Sequence, residues 1–233
     1  MILIPARLAS TRFPKKVLHP IDGVPMVVRT AMQVKGVDEV AIATDSQKVA
    51  DIVTQHGFRA VLTNPDHPSG TDRVNEAVAI LGLSSDEVIV NVQADEPFIE
   101  PEVVQKVRDL TSQHAHDAEV MLCSAYKDLS LEEAKDPNKV KVVCDAAEYA
   151  LYFSRSLIPY PREACKRYKL HLGIYGYTRA KLEKFCSLGQ APLENIEKLE
   201  QLRALYHGFK IAMVQVESQS IGIDTPEDLA AIS

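Results

Sequence analysis

Between Pro5 and Lys16 the chain reads Pro-Ala-Arg-Leu-Ala-Ser-Thr-Arg-Phe-Pro-Lys-Lys, and residues 1–16 hold Arg7, Arg12, Lys15 and Lys16 without a single acid. Four cations in ten residues of a chain whose formal net charge is −6 suit a small polyanion; a solvated basic loop is the plain alternative. The loop has no glycine and no Gly-Lys-Ser/Thr ending, so it is not a Walker loop. Its side chains must carry more of the binding: arginine pairs phosphate in bidentate fashion and lysine acts as a mobile point charge. Asp95, in Asn91-Val-Gln-Ala-Asp-Glu-Pro, follows an apolar run. A carboxylate there suits Mg²⁺, which takes one or two carboxylates plus substrate phosphates; the alternative is an acidic turn before Pro97. In Gly222-Ile-Asp-Thr-Pro-Glu-Asp, Thr225 and Asp228 have capping-box spacing with Pro226 at the first helical position. Asp224 is left over as a second metal carboxylate or as part of the same cap. His171 precedes a β-type run, and Glu194 and Glu197 lie one helical turn apart. These three read as ordinary structural or solvated positions, or as partners for hydroxyl groups.

The elements that must place these residues alternate. Met1–Pro5 is a fully apolar strand of the kind buried on both faces of a parallel sheet. Pro25–Val34 has helical periodicity, Glu39–Ala43 is a strand, and Ser46–His56 is a helix for which Asp45 is placed as N-cap. Arg59–Leu62 is a short strand, Asp72–Leu81 a helix, and Glu87–Val92 the strongest buried strand. This alternation implies βαβ units and a Rossmann-like, doubly wound, mostly parallel α/β sheet. Ligands in such sheets sit beyond the carboxyl ends of the strands, where the loops Arg7–Lys16, Thr44–Asp45 and Gln93–Pro97 converge. Val140–Val143, Ala150–Phe153 and His171–Tyr177 form a β-rich stretch, a natural place for acceptor binding and subunit contact. A helix over Leu193–Tyr206, a strand over Ile211–Val216 and a helix over Pro226–Ile232 follow. With no low-complexity linker, residues 1–233 read as one unit with an embedded subdomain at about 120–190.

Composition bounds the function. At 233 residues, 46% hydrophobic and 25% charged, the chain is an ordinary globular protein. Its acidity argues against a general nucleic-acid partner, and no apolar run approaches the roughly 20 residues that cross a bilayer. Met1–Pro5 does not read as a signal peptide, so a cytoplasmic protein without membrane insertion is expected. Cys123, Cys144, Cys165 and Cys186 recur every 21 residues, but the intervening segments are unrelated; free thiols are expected.

Taken in order, the motifs resemble one family from end to end. They are Ile4-Pro-Ala-Arg-Leu-Ala-Ser-Thr-Arg-Phe-Pro, Ala43-Thr-Asp, Ser69-Gly-Thr-Asp-Arg, Val90-Asn-Val-Gln-Ala-Asp-Glu-Pro, Tyr149-Ala-Leu-Tyr-Phe-Ser-Arg, His171-Leu-Gly-Ile-Tyr-Gly-Tyr, Pro192-Leu-Glu and Gly222-Ile-Asp-Thr-Pro-Glu-Asp. The chain is similar to the 3-deoxy-manno-octulosonate (Kdo) cytidylyltransferases. The resemblance implies a nucleotide-diphospho-sugar transferase type of fold, CTP and Kdo as substrates, Mg²⁺ as cofactor, a homodimer and a role in lipopolysaccharide biosynthesis. It implies Pro5, Ala6, Arg7, Ser10, Arg12, Lys16, Thr44, Asp45, Ser69 and Gly70 at CTP, and Asp95 and Asp224 at the metal. Lys16, Arg12 and the two aspartates would carry catalysis. On the sugar side it implies Arg73, Gln93, His171, Tyr175, Glu194 and Glu197; Arg155, by its charge, is the candidate partner for the sugar carboxylate. Two positions depart from the family's pattern: Lys15 and Ala94 stand where glycine is usual, and each is expected to need ordinary backbone angles. A cytidylyltransferase for another acid sugar (8-amino-Kdo or sialic acid) and a non-catalytic nucleotide-binding module are the competing readings. The paired Asp95 and Asp224 speak against the latter.

Overall fold

The computed structural model describes residues 1–9, 13–163, 167–220, 222–223, 225 and 228–229. In chain order the elements are β1 (Ile2–Ala6), a 3₁₀ turn (Lys16–Leu18), β2 (Pro20–Ile21), β3 (Val24–Pro25), α1 (Met26–Val34), β4 (Val40–Thr44), α2 (Gln47–Gln55), β5 (Arg59–Leu62), α3 (Gly70–Ile80) and β6 (Val88–Asn91). Then follow α4 (Pro101–Gln113), β7 (Val120–Leu129), α5 (Leu131–Ala134), β8 (Lys141–Cys144), β9 (Ala150–Ser154), β10 (Tyr168–Thr178), α6 (Arg179–Ser187), α7 (Pro192–Glu197), α8 (Leu202–Tyr206) and β11 (Lys210–Gln215). The helix expected over Pro226–Ile232 lies almost wholly outside the described residues. Its capping box is present: Thr225 N–H donates to Asp228 Oδ2 at 2.8 Å and Asp228 N–H to Thr225 Oγ1 at 3.3 Å.

The alternation of β1 decides the layers. Leu3 faces one core, with Val74, Ala77, Leu182, Phe185 and Leu202 of α3, α6 and α8. Ile2 and Ile4 face the other, with Val27, Ala31, Val49, Val53, Val103 and Val107 of α1, α2 and α4. A strand covered on both faces has no polar side to show water, hence its unbroken apolar sequence.

The central sheet runs β11-β7-β10-β6-β1-β4-β5. Pairings β11/β7, β6/β1, β1/β4 and β4/β5 are parallel, while β10 is antiparallel to both β6 and β7. The sheet is therefore mixed and mostly parallel, with β10 as the reversed strand. β8 and β9 hang from β10 as an antiparallel extension, so the β-rich middle of the chain is continuous with the main sheet. Where β10 crosses α4 the packing is tight: a Cβ on Gly176 would fall 1.9 Å from Thr111 Oγ1.

Three local expectations are corrected. Ser46, not Asp45, caps α2, its Oγ accepting Val49 N–H; Asp45 is drawn away by other donors. The single helix expected over Leu193–Tyr206 is two short ones, because Lys198 turns left-handed (φ 54°) and breaks the ladder. Lys15 does not relax to ordinary angles. It takes φ 57°, ψ 28° at the entry to the 3₁₀ turn, the conformation a glycine there would adopt freely, whereas Ala94 has no positive φ. A side chain in the left-handed region costs about 1–2 kcal/mol, of which glycine's greater unfolded-state freedom would return part. Lys15→Gly is accordingly expected to raise Tm by roughly 1–4 °C in thermal melting; a lowered Tm would show that Lys15 sits there without strain.

Candidate active site

Three polar loops leave the carboxyl ends of β1, β4 and β6, and hydrogen bonds tie them together. Leu8 N–H donates to Asp45 Oδ1 at 3.3 Å, joining the basic loop to the end of β4. Lys16 Nζ pairs with Asp95 Oδ2 at 2.6 Å, joining the same loop to the end of β6. Ile223 N–H donates to the Asp95 carbonyl at 2.9 Å, bringing the C-terminal segment to the same point. Thr30 of α1 supports the β6 loop from below, its hydroxyl donating to the Ala94 carbonyl at 3.0 Å.

The segment after β11 is held by opposite charges. Glu100 accepts from Ser218 Oγ (2.8 Å), Gln219 N–H (2.6 Å) and Ser220 N–H (3.2 Å). Lys127 Nζ donates to the Ser218 carbonyl at 2.9 Å. Glu96 accepts the Ser220 hydroxyl at 2.9 Å, and burial pushes its carboxyl up to about 7 against the pull of that hydroxyl.

Ser69 caps α3 and Gly70 opens it, packed on the end of β1: a Cβ at Gly70 would come within 3.2 Å of Pro5 Cγ. Ser69 Oγ and Thr71 Oγ1 both reach Glu200, at 3.0 and 2.6 Å. Burial raises the Glu200 carboxyl, and the Thr71 and Ser69 hydroxyls oppose that rise. A cavity of about 390 Å³ opens here, lined by Ser69, Asp72, Glu194, Lys198, Glu200 and Arg203 among others.

Because β10 runs backwards, its beginning lies at the carboxyl end of β7: His171 pairs with Tyr126, and Tyr175 with both Ser124 and Asn91. A bulge between Leu172 and Tyr175 shifts the register. His171 and Tyr175, four residues apart in sequence, thereby become neighbours, with ring centroids 5.6 Å apart. Bulges re-aim side chains in this way beside active sites. Gln201, just before α8, closes the group, donating to His171 Nδ1 at 3.4 Å and accepting from Tyr175 Oη at 3.3 Å.

The expected residues are thus divided. Pro5, Ala6, Lys16, Thr44, Asp45, Ser69, Gly70 and Asp95 gather at the ends of β1, β4 and β6, with Arg7 immediately beyond β1, and Gln93 leans toward the α3 N-terminus, its Oε1 4.0 Å from the Gly70 Cβ position. Ser10, Arg12 and Asp224 lie outside the described residues. Arg73 does not join the His171 group. Its guanidinium is buried on Asp45 Oδ2 (3.0 Å), Thr63 Oγ1 (2.7 Å) and the Asn64 carbonyl (3.3 Å), so it braces the β4 and β5 loops. Glu194 and Glu197, one turn apart on α7, turn to different partners: Glu194 grips Arg203 through two bonds of 2.6 and 3.0 Å. Glu197 accepts from Ser154 Oγ at 2.6 Å and Arg155 N–H at 3.0 Å. The Arg155 guanidinium donates to the carbonyls of Glu197 and Pro137. Glu200 and Gln201 were missed by sequence reasoning, since polar residues beside a helix look like a solvated surface until the fold turns them inward. Among the described residues no cluster of three metal-ligating side chains occurs, and no helix is long and apolar enough to cross a membrane.

A doubly wound sheet with a cationic loop facing a carboxylate across its strand ends is the framework of a nucleotidyltransferase. The chain belongs to the cytidylyltransferase family, whose model matches residues 1–211. It is 65% identical over 233 residues to the 3-deoxy-manno-octulosonate cytidylyltransferase of a Nitratiruptor species, covering 100% of this chain and 98% of that one. It is 54% identical to the protein of the same name from Wolinella succinogenes, over 98% of this chain and 96% of the relative. A solved structure of CMP:2-keto-3-deoxy-manno-octonic acid synthetase complexed with CTP superposes with a TM-score of 0.89 at 40% identity, over 99% of this chain and 95% of that one.

Burial alone pushes the His171 imidazole down to about 3, against roughly 6.5 in an unfolded chain. Between those values the unfolded chain binds a proton that the fold refuses. The stability His171 permits is therefore present above pH 6.5 and lost as pH falls toward 3. His171→Gln is expected to lose less Tm than the wild type between pH 7 and pH 4.5. Parallel losses in both would show that the imidazole charges freely in the folded protein.

Proposed function

We propose that this protein transfers CMP from CTP to Kdo, releasing pyrophosphate, and so supplies activated Kdo for lipopolysaccharide biosynthesis in the cytoplasm. The full-length identity of 65% to a 3-deoxy-manno-octulosonate cytidylyltransferase carries the reading. The meeting of Lys16 and Asp95 at 2.6 Å across the strand ends supports it chemically.

The anomeric hydroxyl oxygen of Kdo attacks the α-phosphorus of CTP. The new P–O bond forms as the bond to the β-phosphate breaks, pyrophosphate leaves with the electron pair, and the hydroxyl proton passes to solvent. Such transfer asks mainly for positioning and for neutralised charge. Arg7, Arg12 and Lys16 hold the triphosphate. Ser69 and Gly70 border the nucleotide where α3 begins, and Asp45, pinned by Arg73 and Leu8 N–H, fixes the wall between β1 and β4. Lys16 exchanges Asp95 for phosphate oxygens as the nucleotide arrives, which releases the carboxylate. Asp95 is then a hard oxygen donor beside phosphates, the donor set Mg²⁺ prefers, with Asp224 as the second carboxylate. The chemistry a bound Mg²⁺ supplies is neutralisation of the triphosphate and a lowered pKa for the attacking hydroxyl.

Residues from about 120 to 190 hold the acceptor and the subunit contact. Leu151 on β9, Tyr160, and Ile196 on α7 are large apolar side chains exposed by 62%, 82% and 77%, and β9 and α7 adjoin through Ser154 and Glu197. Such exposure suits a homodimer interface. Sedimentation equilibrium is expected to return twice the chain mass; a monomer at micromolar concentration would remove this part of the reading.

Pyrophosphate release with CTP and Mg²⁺ across Kdo, 8-amino-Kdo and sialic acid tests the substrate. Kdo is expected to give the highest kcat/KM, and Asp95→Asn to lower kcat at least about a hundredfold, as loss of a charge-stabilising group does. A preference for sialic acid would replace the acceptor, and full turnover by Asp95→Asn would remove Asp95 from the metal site.

A further inference from the structure

Ser124 on β7 is fully buried and sits opposite the β10 bulge. Its Oγ is 2.8 Å from the Ile174 carbonyl, 3.3 Å from the Leu172 carbonyl and 3.0 Å from His171 Nε2. A hydroxyl has one proton to give. Both carbonyls, which lie at the bulge, can only accept, and Ile174 is nearest. Ser124 therefore donates to the bulge and accepts from His171, which puts the imidazole proton on Nε2.

The rest follows without choice. His171 Nδ1 is then a lone pair, so Gln201 must turn its NH₂ toward it at 3.4 Å. The Gln201 carbonyl consequently faces Tyr175 and accepts the phenol proton at 3.3 Å. The bonds run one way: Tyr175 to Gln201, Gln201 to His171, His171 to Ser124, Ser124 to the bulge carbonyl. With the opposite imidazole tautomer, Gln201 would flip and Tyr175 would offer its proton outward. Phe153 packs edge-on against His171, at 4.9 Å between ring centroids, and covers one side of the imidazole.

We propose that Ser124 and His171 are positioning residues that fix Gln201 so that the half-buried Tyr175 presents its phenol oxygen to the crevice as an acceptor, selecting a hydroxyl donor of the acceptor sugar. This rests on the acceptor lying on the His171 side, as proposed above. The ordering also assigns roles: Tyr175 recognises a sugar hydroxyl and not the carboxylate, and His171 exchanges no proton during turnover.

Two measurements test it. Long-range ¹H–¹⁵N spectra of the imidazoles in the full-length wild type at pH 7 are expected to show His171 neutral with its proton on Nε2. A proton on Nδ1, or an imidazolium, overturns the proposal without any variant. Ser124→Ala is expected to give a mixed tautomer and to raise the acceptor KM about tenfold, the worth of one polar contact, with kcat and CTP KM unchanged. Tyr175→Phe should raise the acceptor KM to a similar degree. Equal rises in the KM for CTP and for sugar would make Ser124 merely structural and sink the proposal. If Kdo itself is not turned over, the substrate reading fails alone: the imidazole spectra still decide the tautomer, and the KM comparison runs with whichever acid sugar is turned over.

Discussion

The contact between Lys16 and Asp95 concentrates the demands on this fold. Asp95 is carried past the end of β6, buried over Ile89–Asn91, and Lys16 comes from the loop that leaves the fully buried β1 next door. An aspartate there, beside a loop that adds Arg7, Arg12 and Lys15, makes the crevice neither simply cationic nor simply anionic. A triphosphate alone would prefer the cations without the carboxylate. A carboxylate among cations is intelligible when a divalent ion must share the site with phosphate. The pair is partly buried, with Lys16 and Asp95 side chains 12% and 29% exposed, so each charge costs desolvation and neither is comfortable alone. That mutual dependence suits a lysine that must let go of its partner when a more highly charged one arrives.

Everything else near the crevice restrains the loops that carry these two groups. Asp45 is held by Arg73 and by the backbone of Leu8; the Ala94 carbonyl rests on Thr30; the segment after β11 is gripped by Glu100, Glu96 and Lys127. These are buried or half-buried polar contacts, worth little net when made and costly when broken. Their common effect is to leave the polar loops of a doubly wound sheet with few conformations. Pre-organisation of this kind is what positioning catalysis requires.

The N-terminal half of the fold was legible because its signals are local. An apolar run such as Ile2–Ala6 can only be a covered strand, and the polar loop after it can only lie at the strand's carboxyl end. The second half was less legible for a physical reason. β10 is reversed and inserted between β6 and β7, and no periodicity in a single segment announces which neighbours it will pair with. β7, α4 and α6 went unread, although Val120–Ala125 is wholly buried. Site residues followed the same division. Lys16 and Asp95, singled out by charge and place, meet in the fold; the resemblance implies Arg73 and Glu194 on the sugar side, and the fold pairs them with Asp45 and Arg203. An ionic side chain's partner is set by three-dimensional proximity, and motif matching transfers the residue without its partner. Gln201 and Ser124 carried no signal of their own: their meaning lies wholly in what the bulge places against them.

That bulge explains why a reversed strand serves this enzyme. In an all-parallel sheet the crevice is built only from residues that follow strands, and on the proposed reading these serve nucleotide and metal. Reversing β10 brings the beginning of a strand to the same edge, and the register shift after Leu172 goes with ring contact between His171 and Tyr175 at 5.6 Å. On the proposed reading the acceptor half of the site rests on a strand, while the nucleotide half rests on loops that hydrogen bonds hold in few conformations. Ser124 meets the bulge from β7, its hydroxyl 2.8 Å from the Ile174 carbonyl. The irregularity that brings His171 to Tyr175 therefore also places the carbonyl that orients Ser124.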